Sequence, residues 1–160
     1  WGEPGVDPGQ FNIVHNICCD AEGWVYVADR ENHRVQVFDP AGKYEAEWHR
    51  LHRPCGLYMD NPHSPLFYVG EIGPALAINR HIPNLGPRLT VMSKKGEVLA
   101  RIGDIRAGRE PGQFIAPHGI AVDSRGDGYV GEVSFTAWGQ LFPGPAPSDL
   151  RCLQKLVKID

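Results

Sequence analysis

The sequence predicts an all-β fold assembled from repeated four-stranded units, and three observations carry that prediction. Pro8-Gly9-Gln10-Phe11 recurs as Pro111-Gly112-Gln113-Phe114. The same offset of 103 residues carries His15 onto His118, Ile17 onto Ile120, Asp20 onto Asp123, Gly23 onto Gly126 and Tyr26-Val27 onto Tyr129-Val130. So many identities under one shift mark an internal duplication. A further copy lies between the two: Pro54-Cys55-Gly56-Leu57-Tyr58-Met59-Asp60 aligns with Pro117-His118-Gly119-Ile120-Ala121-Val122-Asp123, and Phe67-Tyr68-Val69 with Val25-Tyr26-Val27. Finally, 19 Gly and 14 Pro in 160 residues punctuate the chain with turns rather than allowing long helices.

Each unit divides into short strands. First strands are expected at residues 16–19, 56–59 and 119–122. Second strands follow at 24–28, 66–70 and 128–131, where aromatic and β-branched residues suit a pleated, half-buried surface. Third strands are expected at 34–38, 88–92 and 154–159, and fourth strands at 44–48 and 98–102. Turn chemistry separates them at Asp20-Ala21-Glu22-Gly23, Asp39-Pro40-Ala41-Gly42, Ser93-Lys94-Lys95-Gly96 and Ser124-Arg125-Gly126-Asp127. There Gly supplies positive φ and an Asp or Ser side chain closes the turn. Four short strands per repeat is the pattern of propeller blades. The blades are residues 1–48, 49–102 and 103–160 of one partial propeller domain. The third lacks its last strand, because Ile159-Asp160 aligns with Phe38-Asp39.

Composition bounds the function. With 42% hydrophobic residues spread along the chain, a packed core is expected and a disordered or low-complexity protein is not. The formal charge of −3, from 16 Lys+Arg against 19 Asp+Glu, leaves no basic surplus for phosphates and argues against a nucleic-acid partner. No 18-residue apolar run is present, so no membrane partner is expected. Four cysteines, two of them adjacent at Cys18-Cys19, make no disulfide framework. They read as reduced thiols and lean towards the cytoplasm, although the compartment itself is left open.

The strings Pro-Gly-Gln-Phe, Pro-His-Gly-Ile-Ala-Val-Asp and Asn32-His33-Arg34-Val35-Gln36-Val37-Phe38 resemble the NHL repeat over essentially the whole chain. Blades one and three are similar to those of peptidylglycine α-hydroxylating amidating lyase and its bacterial homologues. The similarity rests on Trp1-Gly2-Glu3, His15 and Val27-Ala28-Asp29-Arg30-Glu31-Asn32, and on Phe114 through His118 to Tyr129-Val130-Gly131. The resemblance implies a six-bladed propeller, of which three blades are half, with two raw edges. Trp1 aligns with Trp48 and Ile102 at the ends of fourth strands. The chain therefore reads as a portion of a longer polypeptide supplying the remaining blades. The alternative is a homodimer in which a second copy closes the ring.

The resemblance also implies zinc in the central channel, held by histidines at the start of inner strands, and assigns that role to His15 and His118. A bland alternative is that each histidine caps its strand and bonds to backbone. Blade two places Cys55 at the same repeat position. A thiolate there suits zinc as a third ligand, and a buried structural thiol is the alternative. His118 is followed by Gly119 and His15 by Asn16, rather than by a carboxylate, which argues against a channel calcium. His33 reads as a solvated turn residue, and His49, His52, His63 and His81 as surface or loop residues.

A carboxylate ends each second strand: Asp29, Glu71 and Glu132. Its recurrence suits a structural acceptor of backbone N–H groups. The functional alternative makes Glu71 and Glu132 general acid/base groups at the channel mouth, with Arg30 in the matching connection of blade one. Long Pro/Gly-rich insertions at 72–87 and 134–149 exceed ordinary hairpin loops and shape a pocket on one face. Two functional readings follow. One is a lyase-like enzyme cleaving a C–N bond of a small-molecule or peptide substrate at the channel mouth. The other is a non-catalytic NHL scaffold for a protein partner. A gluconolactonase-like hydrolase is a weaker third, lacking the carboxylate-rich site it needs.

Overall fold

The computed structural model describes residues 1–61, 65–104 and 106–159; His63 lies outside them. A leading strap carries two short parallel strands, β1 (Glu3–Pro4) and β2 (Gln10–Phe11). Three antiparallel sheets follow in chain order. The first is β3 (Val14–Cys19), β4 (Val25–Asp29), β5 (Arg34–Phe38) and β6 (Tyr44–Trp48). The second is β7 (Pro54–Met59), β8 (Leu66–Glu71), β9 (Arg88–Ser93) and β10 (Val98–Ile102). The third is β11 (Pro117–Val122), β12 (Gly128–Glu132) and β13 (Leu153–Leu156). Each sheet is a simple meander, as expected of propeller blades. The inner strand β7 packs on β3 and β4, and β11 packs on β7 and β8, so each blade leans on the one before it.

The turns form as their residues dictate. Asp20 accepts the N–H groups of Glu22 and Trp24 and the hydroxyl of Tyr26, at 3.1, 2.9 and 2.9 Å. One repeat later, Asp123 accepts those of Arg125 and Asp127 and the hydroxyl of Tyr129. Asp39 does the same for Ala41 and Lys43. Gly23, Gly42, Gly96 and Gly126 have φ of 79–88°, a conformation that costs glycine nothing.

Three expectations need correction. First strands begin two residues earlier than the apolar pattern suggests, because Val14, Pro54 and Pro117 pair with the carboxylate residues Asp29, Glu71 and Glu132. The third strand of the last sheet stops at Leu156 rather than residue 159. Its partner β12 begins at Gly128, which pairs with Leu156, and beyond that point Lys158 donates its N–H to Asp127 instead (3.0 Å). The 134–149 insertion is not wholly irregular. It opens with a helix, α1 (Ser134–Leu141), after which Phe142 stacks on Trp138 at 4.4 Å. Its side chains have helix-compatible spacing, but the surrounding Gly and Pro mask the signal.

The core lies between blades. Tyr26, Val35 and Trp48 of blade one meet Leu57, Phe67, Val69 and Met92 of blade two, with Trp48 edge-on to Phe67 at 4.8 Å. Leu89 of blade two meets Phe114 and Val130 of blade three. Each such side chain contributes about 1.5–3 kcal/mol on burial.

Candidate functional site

The entrance to each inner strand is built the same way. Val14, Pro54 and Pro117 pair with the end of the second strand, and the ladder then slips by one residue before Asn16, Gly56 and Gly119. The residues left over in these slips are His15, Cys55 and His118. A β-bulge re-aims the side chain it carries, and here three bulges from three blades aim theirs at one point. The imidazole nitrogens and the thiol sulfur all lie within 4.8 Å of one another. Cys55 Sγ is 3.1 Å from His15 Nδ1, and the His15 and His118 rings meet edge-on with centroids 4.5 Å apart. The three residues singled out by repeat position therefore do form one cluster.

Electrostatics leave the cluster uncharged. Burial lowers the pKa of His15 and His118, and the positive charge of Arg30 lowers both further. Burial pushes the Cys55 thiol up to about 11, against the pull of Arg30 and Arg53. Two neutral imidazoles and a protonated thiol result, with the thiol placed to donate to Nδ1. Arg30 is held beside them by Glu31 (2.7 Å), and Glu31 also takes the guanidinium of Arg53 (2.9 Å), which in turn donates to the Gly73 carbonyl. Arg30 thus joins the cluster's surroundings, as its connection suggests. The part played by Arg53 has no repeat counterpart in sequence and is not legible there.

Glu71 and Glu132 go elsewhere, into their own blades. Glu71 is fully buried and takes the guanidinium of Arg88 through both oxygens at 2.8 Å, together with the Thr90 hydroxyl. Glu132 takes the Gln154 amide at 2.5 Å, and Asp29 takes Arg34, Gln36 and Asn32. Each carboxylate also accepts a main-chain N–H three residues before the cluster residue of its blade. Asp29 binds Asn12 N–H (2.7 Å), Glu71 binds His52 N–H (2.5 Å) and Glu132 binds Ile115 N–H (2.6 Å). The carboxylates hold the backbone that presents the cluster. They are positioning residues in this geometry, and the donors around them are supplied by the fold itself.

The Gln residues of the third strands complete this arrangement. Gln36 donates to the Gln10 carbonyl and to Asp29, and Gln154 donates to the Gln113 carbonyl and to Glu132. That explains why the Pro-Gly-Gln-Phe strap repeats: it is tied to the third strand by the same amide each time. One of the histidines differs from expectation. His33 is half-buried, accepts the Arg53 N–H on Nδ1 and lies against the His52 ring at 4.5 Å, so it is not a freely solvated turn residue. His52 lies half-buried in the loop before β7, where burial and the neighbouring His33 lower its pKa to about 4. His49 and His81 are exposed.

The NHL-repeat family model matches residues 11–38, the span from the strap through the entrance bulge to the end of β5. Residues 11–38 therefore form an NHL-type repeat. Human NHL repeat-containing protein 3 is 51% identical over 47 residues, 29% of this chain and 13% of that protein. Protein brain tumor of Drosophila melanogaster is 27% identical over 139 residues, 79% of this chain and 11% of that protein. The matched parts of this chain thus span between a tenth and a seventh of these relatives. A solved protein of unknown function from Bacteroides caccae superposes with a TM-score of 0.53 at 12% identity, covering 74% of this chain and 38% of that one. That likeness concerns the fold alone. The fold is all-β and propeller-like.

Proposed function

We propose that this chain is a propeller-type scaffold that binds a protein partner at the end where its inner strands enter. One observation carries the reading. The long connections 72–87 and 134–152 leave their blades at that end and hold large apolar side chains in solvent: Leu76, Ile78 and Ile82 on the first, Phe135 on α1 of the second. Ile78 is 82% and Phe135 69% exposed. Such side chains on loops held by a rigid scaffold suit recognition of another protein. The acidic balance favours a protein over a nucleic acid. The test is quantitative affinity capture with the wild type and an Ile78→Asp/Phe135→Asp variant. A partner retained by the first and lost by the second is expected. Equal recovery on both would sink the reading.

A second reading is favoured by the His15, Cys55 and His118 cluster. Two neutral imidazoles and a thiol, all within 4.8 Å, are a donor set that fits zinc. His15, His118 and Cys55 would hold the ion, with the thiol losing its proton on binding. Bound zinc supplies Lewis acidity towards an oxygen of a substrate. Combined with the resemblance to the amidating lyase, this extends to C–N cleavage of a peptidyl-hydroxyglycine. Metal analysis of the purified protein tests it: one equivalent of zinc, lost in His118→Ala, is expected, and a metal-free wild type after zinc loading would refute it.

A further inference from the structure

The cations of this chain are sorted by end. All five lysines lie at the end away from the inner-strand entrances, in the β5–β6 and β9–β10 turns and on or after β13. Most are neutralised there: Lys43 pairs with Glu45, Lys94 with Asp20 and Glu22, and Lys155 with Asp127. The entrance end carries arginines instead, and their charge is incompletely matched. Arg30 and Arg53 share one carboxylate, Glu31. Arg50, Arg80 and Arg106 are exposed, and among the described residues none of the three guanidinium groups has a carboxylate partner.

Two of those three line one groove. Arg80, His81, Ile82 and Pro83 on the 72–87 connection face Arg106 on the segment between β10 and β11, around a volume of about 640 Å³. No carboxylate lines it. Both walls are held by their own main chain, which leaves these side chains uncommitted. On the first wall the Arg80 N–H donates to the Ala77 carbonyl and the Ile82 N–H to the Asn79 carbonyl, while Arg88 donates to the Asn84 carbonyl and ties the connection to its blade. On the second, Asp104 donates its N–H to the Gly112 carbonyl and accepts the main-chain N–H of Arg106 on its carboxylate (3.1 Å).

We infer that this groove binds an acidic, aliphatic segment of a protein partner, an inference that rests on the partner-binding reading above and adds the partner's chemistry. Arginine forks match carboxylates bidentately and are more weakly hydrated than lysine ammonium groups. Unmatched positive charge in a concave site focuses its field on an incoming anion. Ile82, 48% exposed beside the two arginines, asks for an apolar side chain on the same ligand. A single-stranded nucleic acid would match the charge but is held by stacking on aromatic rings, and no Phe, Tyr or Trp lines the groove. Carboxylates on Arg80 and Arg106, with an aliphatic side chain on Ile82, satisfy all of its walls.

Fluorescence anisotropy with a labelled peptide of Glu and Leu residues tests it. The wild type is expected to bind the peptide, less tightly as salt is raised. Arg80→Glu/Arg106→Glu weakens binding by about tenfold or more with an unchanged circular dichroism spectrum. Lys95→Glu/Lys158→Glu, the same change in net charge at the opposite end, leaves it unaltered. A wild type that does not bind the peptide overturns the inference. So do equal losses in the two double variants, equal binding of a peptide with Lys in place of Glu, or tighter binding of a uridine oligonucleotide. Affinity capture separates this inference from the broader reading. A partner lost by Ile78→Asp/Phe135→Asp but kept by Arg80→Glu/Arg106→Glu overturns the acidic segment and leaves the scaffold standing.

Discussion

Two positions recur once in every blade, and the fold uses them in opposite ways. His15, Cys55 and His118 sit in β-bulges and converge with their polar atoms turned towards one another. Asp29, Glu71 and Glu132 sit directly across the ladder, yet each is turned into its own blade and saturated by donors from neighbouring strands. Recurrence alone does not distinguish a binding site from a scaffold. The distinction lies in whether the fold itself supplies the partners. The carboxylates are spent on structure, and what they secure is the backbone that presents the other three.

The largest expected effect breaks the structural side of that contrast. Glu71→Ala leaves the Arg88 guanidinium buried without its counter-charge and frees the His52 N–H. Removing one member of a buried ion pair costs about 3–5 kcal/mol. Denaturant unfolding should show a loss of that size for Glu71→Ala. If it proves no more harmful than Cys55→Ala, the carboxylate is not structural. Gln154→Ala comes next. It deprives Glu132 and the Gln113 carbonyl of one donor, at an expected cost of about 1–3 kcal/mol for leaving a buried acceptor unpaired. His118→Ala should be milder, within about 1 kcal/mol of wild type by thermal unfolding, because its ring braces no strand and is partly exposed. A loss above 3 kcal/mol would move His118 to the structural class.

The smallest effect is a pH dependence near blade two. His52 has its pKa lowered in the folded state from 6.5 to about 4 by burial and by His33, so folding favours its neutral form. Its contribution is fully present above pH 6.5 and is lost as pH falls towards about 4. His52→Asn should flatten the stability profile across that window. An unchanged slope would place the ring in solvent.

Much of this was legible in the sequence because the repeat reads itself. Strands β5, β6 and β10 lie where the turn residues put them, and the 103-residue offset alone selects His15 and His118. Cys55 followed from alignment alone. The bulges were not legible, since a ladder slip leaves no composition signal. The saturation of Glu71 was hidden as well, because Arg88 and Thr90 lie across a 16-residue insertion. Helix α1 was masked by the Pro/Gly-rich segment after it. The Gln36 and Gln154 ties could have been found, for both sit on third strands in blades that begin with Pro-Gly-Gln-Phe.

The central claim is that the bulge residues form the site while the carboxylates only hold it in place. Cobalt titration followed by absorbance tests this most directly, since a thiolate ligand adds a charge-transfer band that imidazoles alone do not. The account predicts one equivalent bound with that band in the wild type, the band lost in Cys55→Ala, binding lost in His118→Ala, and the band retained in Glu132→Gln. A wild type that binds no cobalt, or a band that survives Cys55→Ala, would contradict it.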